Sequence, residues 1–299
     1  MNIFYCDQFT YPLPPEHRFP ATKYGLLRAK VAAQLVPPGQ LLIPEAATDE
    51  QILRVHDAGY LERVATGQLA PKESRRIGLP WSPELVERSR RAAGGTIGAC
   101  RAALTGGVAV NLSGGTHHSF SDHGEGFCVF NDCAIAVRAL QAERLVRRVV
   151  IIDCDVHQGN GTAAIFSGDT TVFTFSIHGA KNFPFHKEHS DLDLELDDGT
   201  GDAAYLTALR SGLERVRGEA GVDLAIYLAG ADPYEGDTLG RLSVSPAGLA
   251  ERDRAVFEVC RQAGWPVAVV MGGGYGRQIQ DTVDIHFETV RIALDMAQG

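Results

Sequence analysis

The sequence predicts an α/β protein in three layers, with a mostly parallel central sheet between two layers of helices. One observation is a series of short apolar runs rich in β-branched residues, at 2–6, 108–112, 149–152, 171–177, 224–229 and 267–271. Such runs are typical of strands that are buried on both faces. Segments with helical spacing follow these runs, at 22–35, 83–104, 133–145, 203–217, 246–263 and 282–297. This alternation predicts right-handed crossovers, with helices on both faces of the sheet.

The composition is that of an ordinary globular protein, with 44% hydrophobic and 22% charged residues in a chain of 299. We find no linker, repeat or shift in composition that divides the chain, so we expect one catalytic domain spanning 1–299. The net charge of -9 argues against a nucleic-acid partner, for which a basic excess is typical. A basic cluster occurs at 72–76 and 88–91, and a solvated face is its simplest interpretation.

The cysteines and the N-terminus indicate where the protein resides. The six cysteines form no Cys-x-x-Cys pair, so a structural zinc knuckle is not expected. The N-terminus lacks a basic segment followed by a long apolar one, and no stretch reaches the ~20 apolar residues of a membrane span. The sequence therefore predicts a cytoplasmic protein without a membrane span.

Glycines and ionisable groups follow five of the predicted strands, at 113–118, 153–157, 178, 230–232 and 272–275. In open parallel sheets, ligands bind in the crevice outside the carboxyl ends of the strands. Because these polar segments converge on that edge, the sequence predicts one functional site there.

A metal centre is predicted at this edge. Asp153, Asp155 and His157 occupy alternate positions at the end of a buried strand, and alternate side chains point the same way. A single aspartate there would be read as salt-bridged or capping, but unpaired buried carboxylates are costly and commonly bind metal. Together with Asp232, the residues Asp155 and His157 supply the three protein ligands of a catalytic zinc. Iron(II) or cobalt(II) would also suit this donor set.

Acid–base and oxyanion-binding groups are predicted beside the metal. The adjacent His117 and His118 are suited to proton transfer from a water and to a leaving group. Asp153 and Asn160 are candidates to orient the two imidazoles, and the one facing Asn160 should be less basic. Tyr275 follows three glycines that would let it move, and its hydroxyl is suited to donate to an oxyanion.

These motifs resemble the zinc-dependent histone deacetylases and their bacterial relatives, which share the arginase/deacetylase fold. The matching stretches cover nearly the whole chain in order, at 56–60, 114–118, 126–132, 153–161, 230–237 and 272–275. The resemblance implies a hydrolase that removes an acyl group from lysine or a similar amine. It implies that zinc is bound by Asp155, His157 and Asp232, with His117 and His118 backed by Asp153 and Asn160, and that Tyr275 polarises the acyl carbonyl.

The resemblance also implies a substrate tunnel and a second ion. The tunnel would be lined by Gly126, Phe127 and Phe183, with Phe185 as a rival for the second wall and Leu239 at the rim. Arg18 would match an arginine of the inner product pocket. A potassium ion would be held by side-chain or backbone oxygens of Asp153, Asp155, His157, Ser176 and Ile177.

The sequence around Asn160 departs from class I members, which carry an aspartate there. Asn160 and Gln158, with the segments 17–20 and 94–97, are most similar to the class IV branch and its bacterial relatives. Some members of that branch remove long acyl groups, so the acyl length stays open. The substrate is expected to be an acyl-lysine protein or peptide, or a small acylated amine such as an acetylpolyamine.

Three other functions were weighed. A dinuclear manganese ureohydrolase would use an Asp-x-His-x-Asp triplet, which this sequence lacks. A dinucleotide-binding domain would use 159–164, which fits G-x-G-x-x-A, but the carboxylates of Asp153 and Asp155 would repel a pyrophosphate. A catalytically silent acyl-lysine binder would not need His117, His118 and Tyr275. Acyl-amine hydrolysis is therefore the function that the sequence favours.

Overall fold

A computed structural model describes residues 1–14, 16–37 and 40–298. Within these residues, eight parallel strands form one sheet in the order β2-β1-β3-β8-β7-β4-β5-β6. The strands are β1 (Asn2–Phe4), β2 (Leu41–Leu42), β3 (Val108–Asn111), β4 (Val149–Asp153), β5 (Val172–Gly179), β6 (Leu192–Leu196), β7 (Leu224–Leu228) and β8 (Val267–Val270).

The helices of these residues are α1 (Lys23–Gln34), α2 (Asp49–Ile52), α3 (Ala58–Thr66), α4 (Pro71–Ile77), α5 (Pro83–Gly106), α6 (Asp132–Ala142), α7 (Asn160–Phe166), α8 (Asp202–Arg217), α9 (Pro246–Ala263) and α10 (Ile279–Gln298). Helices α1, α8, α9 and α10 pack on one face of the sheet, and α5 and α6 pack on the other. The predicted three-layer α/β fold with a parallel sheet is confirmed.

Both faces of the sheet are buried, as the apolar runs predicted. In β4, Val150 and Ile152 belong to the core beneath α1, α8, α9 and α10, while Val149 and Ile151 belong to the core beneath α5 and α6. A strand that alternates between two cores has no polar face, which is why its sequence is apolar without interruption.

Two strands escaped the sequence prediction. Strand β6 lies at the sheet edge and alternates leucine with Asp193 and Glu195, so it lacks the continuous apolar run that marked the others. Strand β2 has two residues, too few for any periodicity. The short helices α2, α3, α4 and α7 were also missed, because one or two turns give little periodicity.

A buried polar network supports the segment that follows β7. Arg252 of α9 is fully buried, and its guanidinium donates to the carbonyl of Gly230 and, over 2.9 Å, to Asp253 Oδ1. Asp253 also accepts from the hydroxyls of Tyr227 at 2.5 Å and Thr289 at 2.7 Å. These bonds tie the end of β7 to α9 and α10, and so fix the position of the residues that come next.

The cysteines of the chain lie in its apolar core. Cys6, Cys100, Cys128, Cys133, Cys154 and Cys260 are all buried and free. In the part of the chain that the structure describes, no helix combines the length and apolar character that crossing a bilayer requires.

Candidate metal and catalytic site

Three predicted ligands meet at the carboxyl edge of the sheet. Asp155 and His157 follow β4, and Asp232 follows the neighbouring β7. His157 Nδ1 lies 2.9 Å from Asp155 Oδ1 and 3.2 Å from Asp232 Oδ2. One ligand atom from each residue lies within 4.8 Å of the other two, and all three residues are buried. This arrangement can hold a metal ion.

The hydrogen bonding around Asp232 fits a cation. Its Oδ1 accepts from the N–H of Val156 at 2.9 Å, but its Oδ2 is buried and makes no hydrogen bond, although His157 Nδ1 lies 3.2 Å away. Burial and the adjacent Asp155 carboxylate raise the pKa of Asp232 to about 7. A buried acceptor without a donor costs about 1–3 kcal/mol, more when charged, and a metal ion would satisfy it. The donor set of one imidazole and two carboxylates is one that zinc accepts.

Glycines allow the backbone to approach the two carboxylates. A Cβ atom on Gly273 would lie 1.9 Å from Asp232 Oδ2, and one on Gly230 would lie 2.7 Å from Asp155 Oδ2. The N–H of Gly273 donates to Asp155 Oδ2 at 2.7 Å. The sequence interpretation ascribed the glycines before Tyr275 to movement, whereas the structure gives them a steric reason: no side chain fits there.

The two adjacent histidines have different partners. Nδ1 of His117 lies 2.6 Å from Asp153 Oδ2, and Nδ1 of His118 lies 2.7 Å from Asn160 Oδ1. Both imidazoles are buried, and their ring centroids are 4.1 Å apart. One ring therefore faces a carboxylate and the other a neutral amide.

The pKa values of these two imidazoles are shifted in opposite directions. Burial, together with the adjacent imidazoles of His117 and His157, lowers the pKa of His118 well below its ordinary value. Burial alone would also lower the pKa of His117, but the carboxylates of Asp153 and Asp155 outweigh it and raise that pKa to about 9. His118 is therefore the less basic of the two imidazoles, and His117 the more basic.

A residue that the sequence reasoning missed, Glu125, fixes the tautomer of His118. The amide nitrogen of Asn160 donates to Glu125 Oε1 at 2.8 Å, so the amide oxygen of Asn160 must face His118. That oxygen only accepts, so His118 Nδ1 carries the hydrogen and Nε2 keeps its lone pair. Glu125 is 35 residues from Asn160 in sequence, and no local pattern marked it.

Tyr275 is held by its backbone beside the metal ligands. Its N–H donates to Asp237 Oδ2 at 2.6 Å, and its ring centroid lies 6.4 Å from that of His157, edge to face. Burial raises the pKa of the Tyr275 hydroxyl well above its ordinary value, so the hydroxyl keeps its proton as a donor.

A buried cation, Lys23, lies beside the segment that leads to Tyr275, and Arg18 does not reach the inner pocket as expected. Lys23 is buried, and its ammonium donates to the carbonyls of Gly272 and Gly274, each at 3.3 Å. It lies 5.3 Å from the ring centroid of Tyr275. Arg18 is exposed and lines the outer mouth of the pocket instead. No pattern in the sequence around Arg18 and Lys23 indicates which of these two side chains points into the protein.

The predicted tunnel residues line one open pocket of about 550 Å³ that leads to His118, His157 and Tyr275. Phe127 adopts a positive φ of 65°, and its N–H donates to Ile77 at 2.7 Å. The ring of Phe183 packs edge-on against His118, with centroids 5.0 Å apart. Gly126 and Leu239 also line the pocket. Phe185 lines its outer part and is 80% exposed, so Phe183 is the aromatic residue nearer the histidines.

The residues expected to hold potassium lie beneath this site. Ser176 of β5 pairs with Asp153 of β4, and Ile177 follows it in the same strand. Asp153 Oδ1 accepts from the N–H of Asp155 at 3.0 Å. The potassium site itself stays a prediction.

Comparisons with known proteins agree with this fold. The sequence model of the histone deacetylase domain matches residues 15–290. The chain is 44% identical to an uncharacterised protein of Picosynechococcus sp. over 98% of each chain. It is 33% identical to the histone deacetylase-like amidohydrolase of Pseudomonas aeruginosa, over 86% of this chain and 71% of that one.

A solved structure of a histone deacetylase homologue from Aquifex aeolicus is also similar. It superposes with a TM-score of 0.83 at 25% identity, covering 99% of this chain and 84% of that one. The domain match over most of the chain, together with the relative that is 33% identical, shows that this chain belongs to the histone deacetylase family.

Proposed function

We propose that this protein is a zinc-dependent deacylase that hydrolyses the amide bond between an acyl group and the side chain of lysine or a similar amine. The observation that carries the proposal is the group Asp155, His157 and Asp232, with an unsatisfied carboxylate oxygen, at the foot of a pocket walled by aromatic rings. Zinc bound there would polarise the amide carbonyl and lower the pKa of a water molecule. Iron(II) and cobalt(II) remain alternatives for the same ligands.

The proton transfers are assigned to His118. Its Nε2 holds a lone pair because Asn160 and Glu125 keep the hydrogen on Nδ1. His118 accepts the proton of the attacking water and passes it to the leaving amine. His117, kept protonated by Asp153, supplies a fixed positive charge beside the developing oxyanion.

Stabilisation of the oxyanion is assigned to Tyr275. Its hydroxyl keeps its proton because burial raises the pKa of Tyr275, so it can donate to the carbonyl oxygen as negative charge develops. Lys23 binds the carbonyl and Asp237 the N–H of the peptide bond between Gly274 and Tyr275. They are positioning residues, since both act through Tyr275.

The chain's other features bear on the rival functions and on location. Among the described residues, Asp155, His157 and Asp232 are the one cluster of three or more candidate ligands, which favours one metal over the two of a ureohydrolase. We propose a cytoplasmic location as well, because six free, buried cysteines suit a reducing compartment.

The space behind the metal ligands favours short acyl groups. A cavity of about 50 Å³ touches His117, His118 and Tyr275. A second of about 50 Å³ shares Phe19, Tyr24 and Phe127 with it and extends to Leu85 and Arg88. About 10–15 Å³ of such space holds one water, so this room suits an acetyl or propionyl group rather than a long chain.

We expect the metal-free protein to bind one zinc ion per chain, and zinc to raise its melting temperature. A ligand at about 100 times its Kd adds about 2.7 kcal/mol to the free energy of unfolding. Asp232→Ala should abolish both effects, because it removes a ligand. Metal content and thermal unfolding, with zinc, iron(II) and cobalt(II) in separate arms, check this.

Asp223→Ala is the matched control for that experiment. Asp223 likewise accepts backbone N–H bonds, from Arg147 and Arg148, but at the opposite edge of the sheet. The account of the metal centre fails if Asp232→Ala binds zinc as the unmutated protein does, or if two manganese ions bind per chain.

His118→Ala should lower kcat on an acyl-lysine peptide by about 10²–10⁴, because a general base is lost. Tyr275→Phe should lower kcat by about 10²–10³, because one oxyanion donor is lost. KM should change little in both. Steady-state kinetics of the zinc-loaded proteins measure this, with release of the free amine as the signal.

Two controls remove the same chemical groups elsewhere. His123→Ala removes a histidine that pairs with Asp122 near the surface, and Tyr205→Phe removes a buried hydroxyl that has no hydrogen-bond partner. Both should keep kcat. Full turnover by His118→Ala and Tyr275→Phe would remove these residues from the mechanism.

We expect kcat/KM to fall by about tenfold or more between acetyl-lysine and octanoyl-lysine peptides, because the inner cavities are small and Leu85 lines the second of them. Leu85→Ala should open the cavity and narrow this difference, while Leu85→Met, which conserves volume, should not. A panel of peptides of rising acyl length measures it. Faster turnover of octanoyl than acetyl by the unmutated protein would show that the inner space is wrongly described.

A further inference from the structure

The mouth of the pocket has a charge opposite to that of the whole chain. The chain carries 28 basic and 37 acidic residues, for a net charge of -9. Five of its basic side chains nevertheless line the mouth, and all are exposed: Arg18, Arg75, Arg76, Lys181 and Arg241. We call these five residues the basic rim.

Few carboxylates neutralise the basic rim. Asp198 lies 3.3 Å from Arg241 and 3.9 Å from Lys181, so one carboxylate serves two cations. Glu125 lies 3.8 Å from Arg76, but it also accepts from Asn160.

The remaining cations of the rim are unpaired. Within 1–14, 16–37 and 40–298, neither Arg18 nor Arg75 has an ion-pair partner. Asp237 is near the pocket, but it is buried and turned toward the N–H groups of Leu239, Gly240 and Tyr275. The basic rim therefore keeps a net positive charge.

The wall of the pocket itself holds part of this rim in place. The carbonyl of Arg76 accepts from the N–H of Gly126 at 3.1 Å, and the carbonyl of Ile77 accepts from Phe127 at 2.7 Å. The end of α4 is thus bonded to the segment that carries the aromatic wall. The sequence alone favoured a solvated face for this basic cluster, whereas the structure places two of its members, Arg75 and Arg76, at the entrance.

We propose that the natural substrate is an acyl-lysine within an acidic segment of a protein, whose carboxylates contact the basic rim. This inference rests on the proposed deacylase activity and names its substrate class. A polyamine or an arginine- and lysine-rich segment would bring like charges to the rim, which is unfavourable.

Phe185 favours a peptide over a small acylated amine. Its ring is 80% exposed and stands outside Phe183, at the outer end of the same pocket. Residues on either side of an acyl-lysine in a peptide would cover this ring. A small acylated amine that fills only the inner pocket would leave the Phe185 ring exposed to water.

The physical signature of this recognition is its dependence on salt. Each exposed ion pair contributes little on its own, but several charges of one sign around a cleft raise the rate of encounter with an oppositely charged partner. Added salt screens such charges, since the Debye length falls to about 3 Å at 1 M. The preference should therefore be strong at low salt and weak at high salt.

The experiment compares three acetyl-lysine peptides of equal length, with acidic, neutral or basic flanking residues, and a small anionic acetylated amine. Hydrolysis is measured on the zinc-loaded native protein at low and high salt, and binding of the same labelled peptides on His118→Ala. We expect kcat/KM and affinity about tenfold higher for acidic than for basic flanks at low salt, converging at high salt.

The variant Arg18→Glu/Arg75→Glu tests the basic rim directly, because it breaks no ion pair of the described residues. It should abolish or reverse the preference for acidic flanks. The control Arg210→Glu/Arg215→Glu makes the same charge change on exposed positions of α8, away from the mouth, and should keep the preference.

The outcomes separate the two proposals. If the native protein hydrolyses none of the substrates while binding to His118→Ala still ranks acidic above basic, the deacylase activity is overturned and the basic rim's selectivity stands. Equal hydrolysis and binding of the three peptides overturns the acidic-segment proposal alone. Preference for the small anionic amine over every peptide overturns the assignment to a protein substrate.

Discussion

The site depends on two carboxylates that the fold buries side by side. Asp155 and Asp232 follow neighbouring parallel strands, so their side chains meet at the carboxyl edge with only His157 between them. Two adjacent buried negative charges are strongly unfavourable without a cation. The surrounding backbone packs closely against this pair of carboxylates. Gly230 and Gly273 lie so near to the carboxylates that no Cβ atom fits, and Gly273 donates its N–H to Asp155.

The adjacent His117 and His118 differ in basicity because they have different hydrogen-bond partners. The Asp153 carboxylate raises the pKa of His117, while His118 faces the amide oxygen of Asn160 and has a lowered pKa. Glu125 fixes the orientation of Asn160. It accepts a hydrogen bond from the amide nitrogen of Asn160, so the amide oxygen faces the His118 ring. Two imidazoles of different basicity thus lie in contact, and their partners Asp153 and Asn160 are far from them in sequence.

The sequence predicted what local patterns record and missed what long-range contacts create. Uninterrupted apolar runs marked the central strands, and the alternation in 153–157 placed the metal group. By contrast, the alternating β6 was missed because an edge strand need not be apolar, and Lys23 was missed because nothing nearby shows that it turns inward rather than Arg18. The basic rim was missed for the same reason, since its members come from loops and a helix that only the fold brings together.

The central claim is that a single metal ion lies between Asp155, His157 and Asp232, with its open side toward His118 and Tyr275. Anomalous diffraction from a zinc-loaded crystal, recorded on both sides of the zinc absorption edge, tests it most directly. The account predicts one peak per chain, about 2.0–2.2 Å from one atom of each of the three side chains. A peak at another place, or a full zinc load with none of it between these three residues, would contradict it.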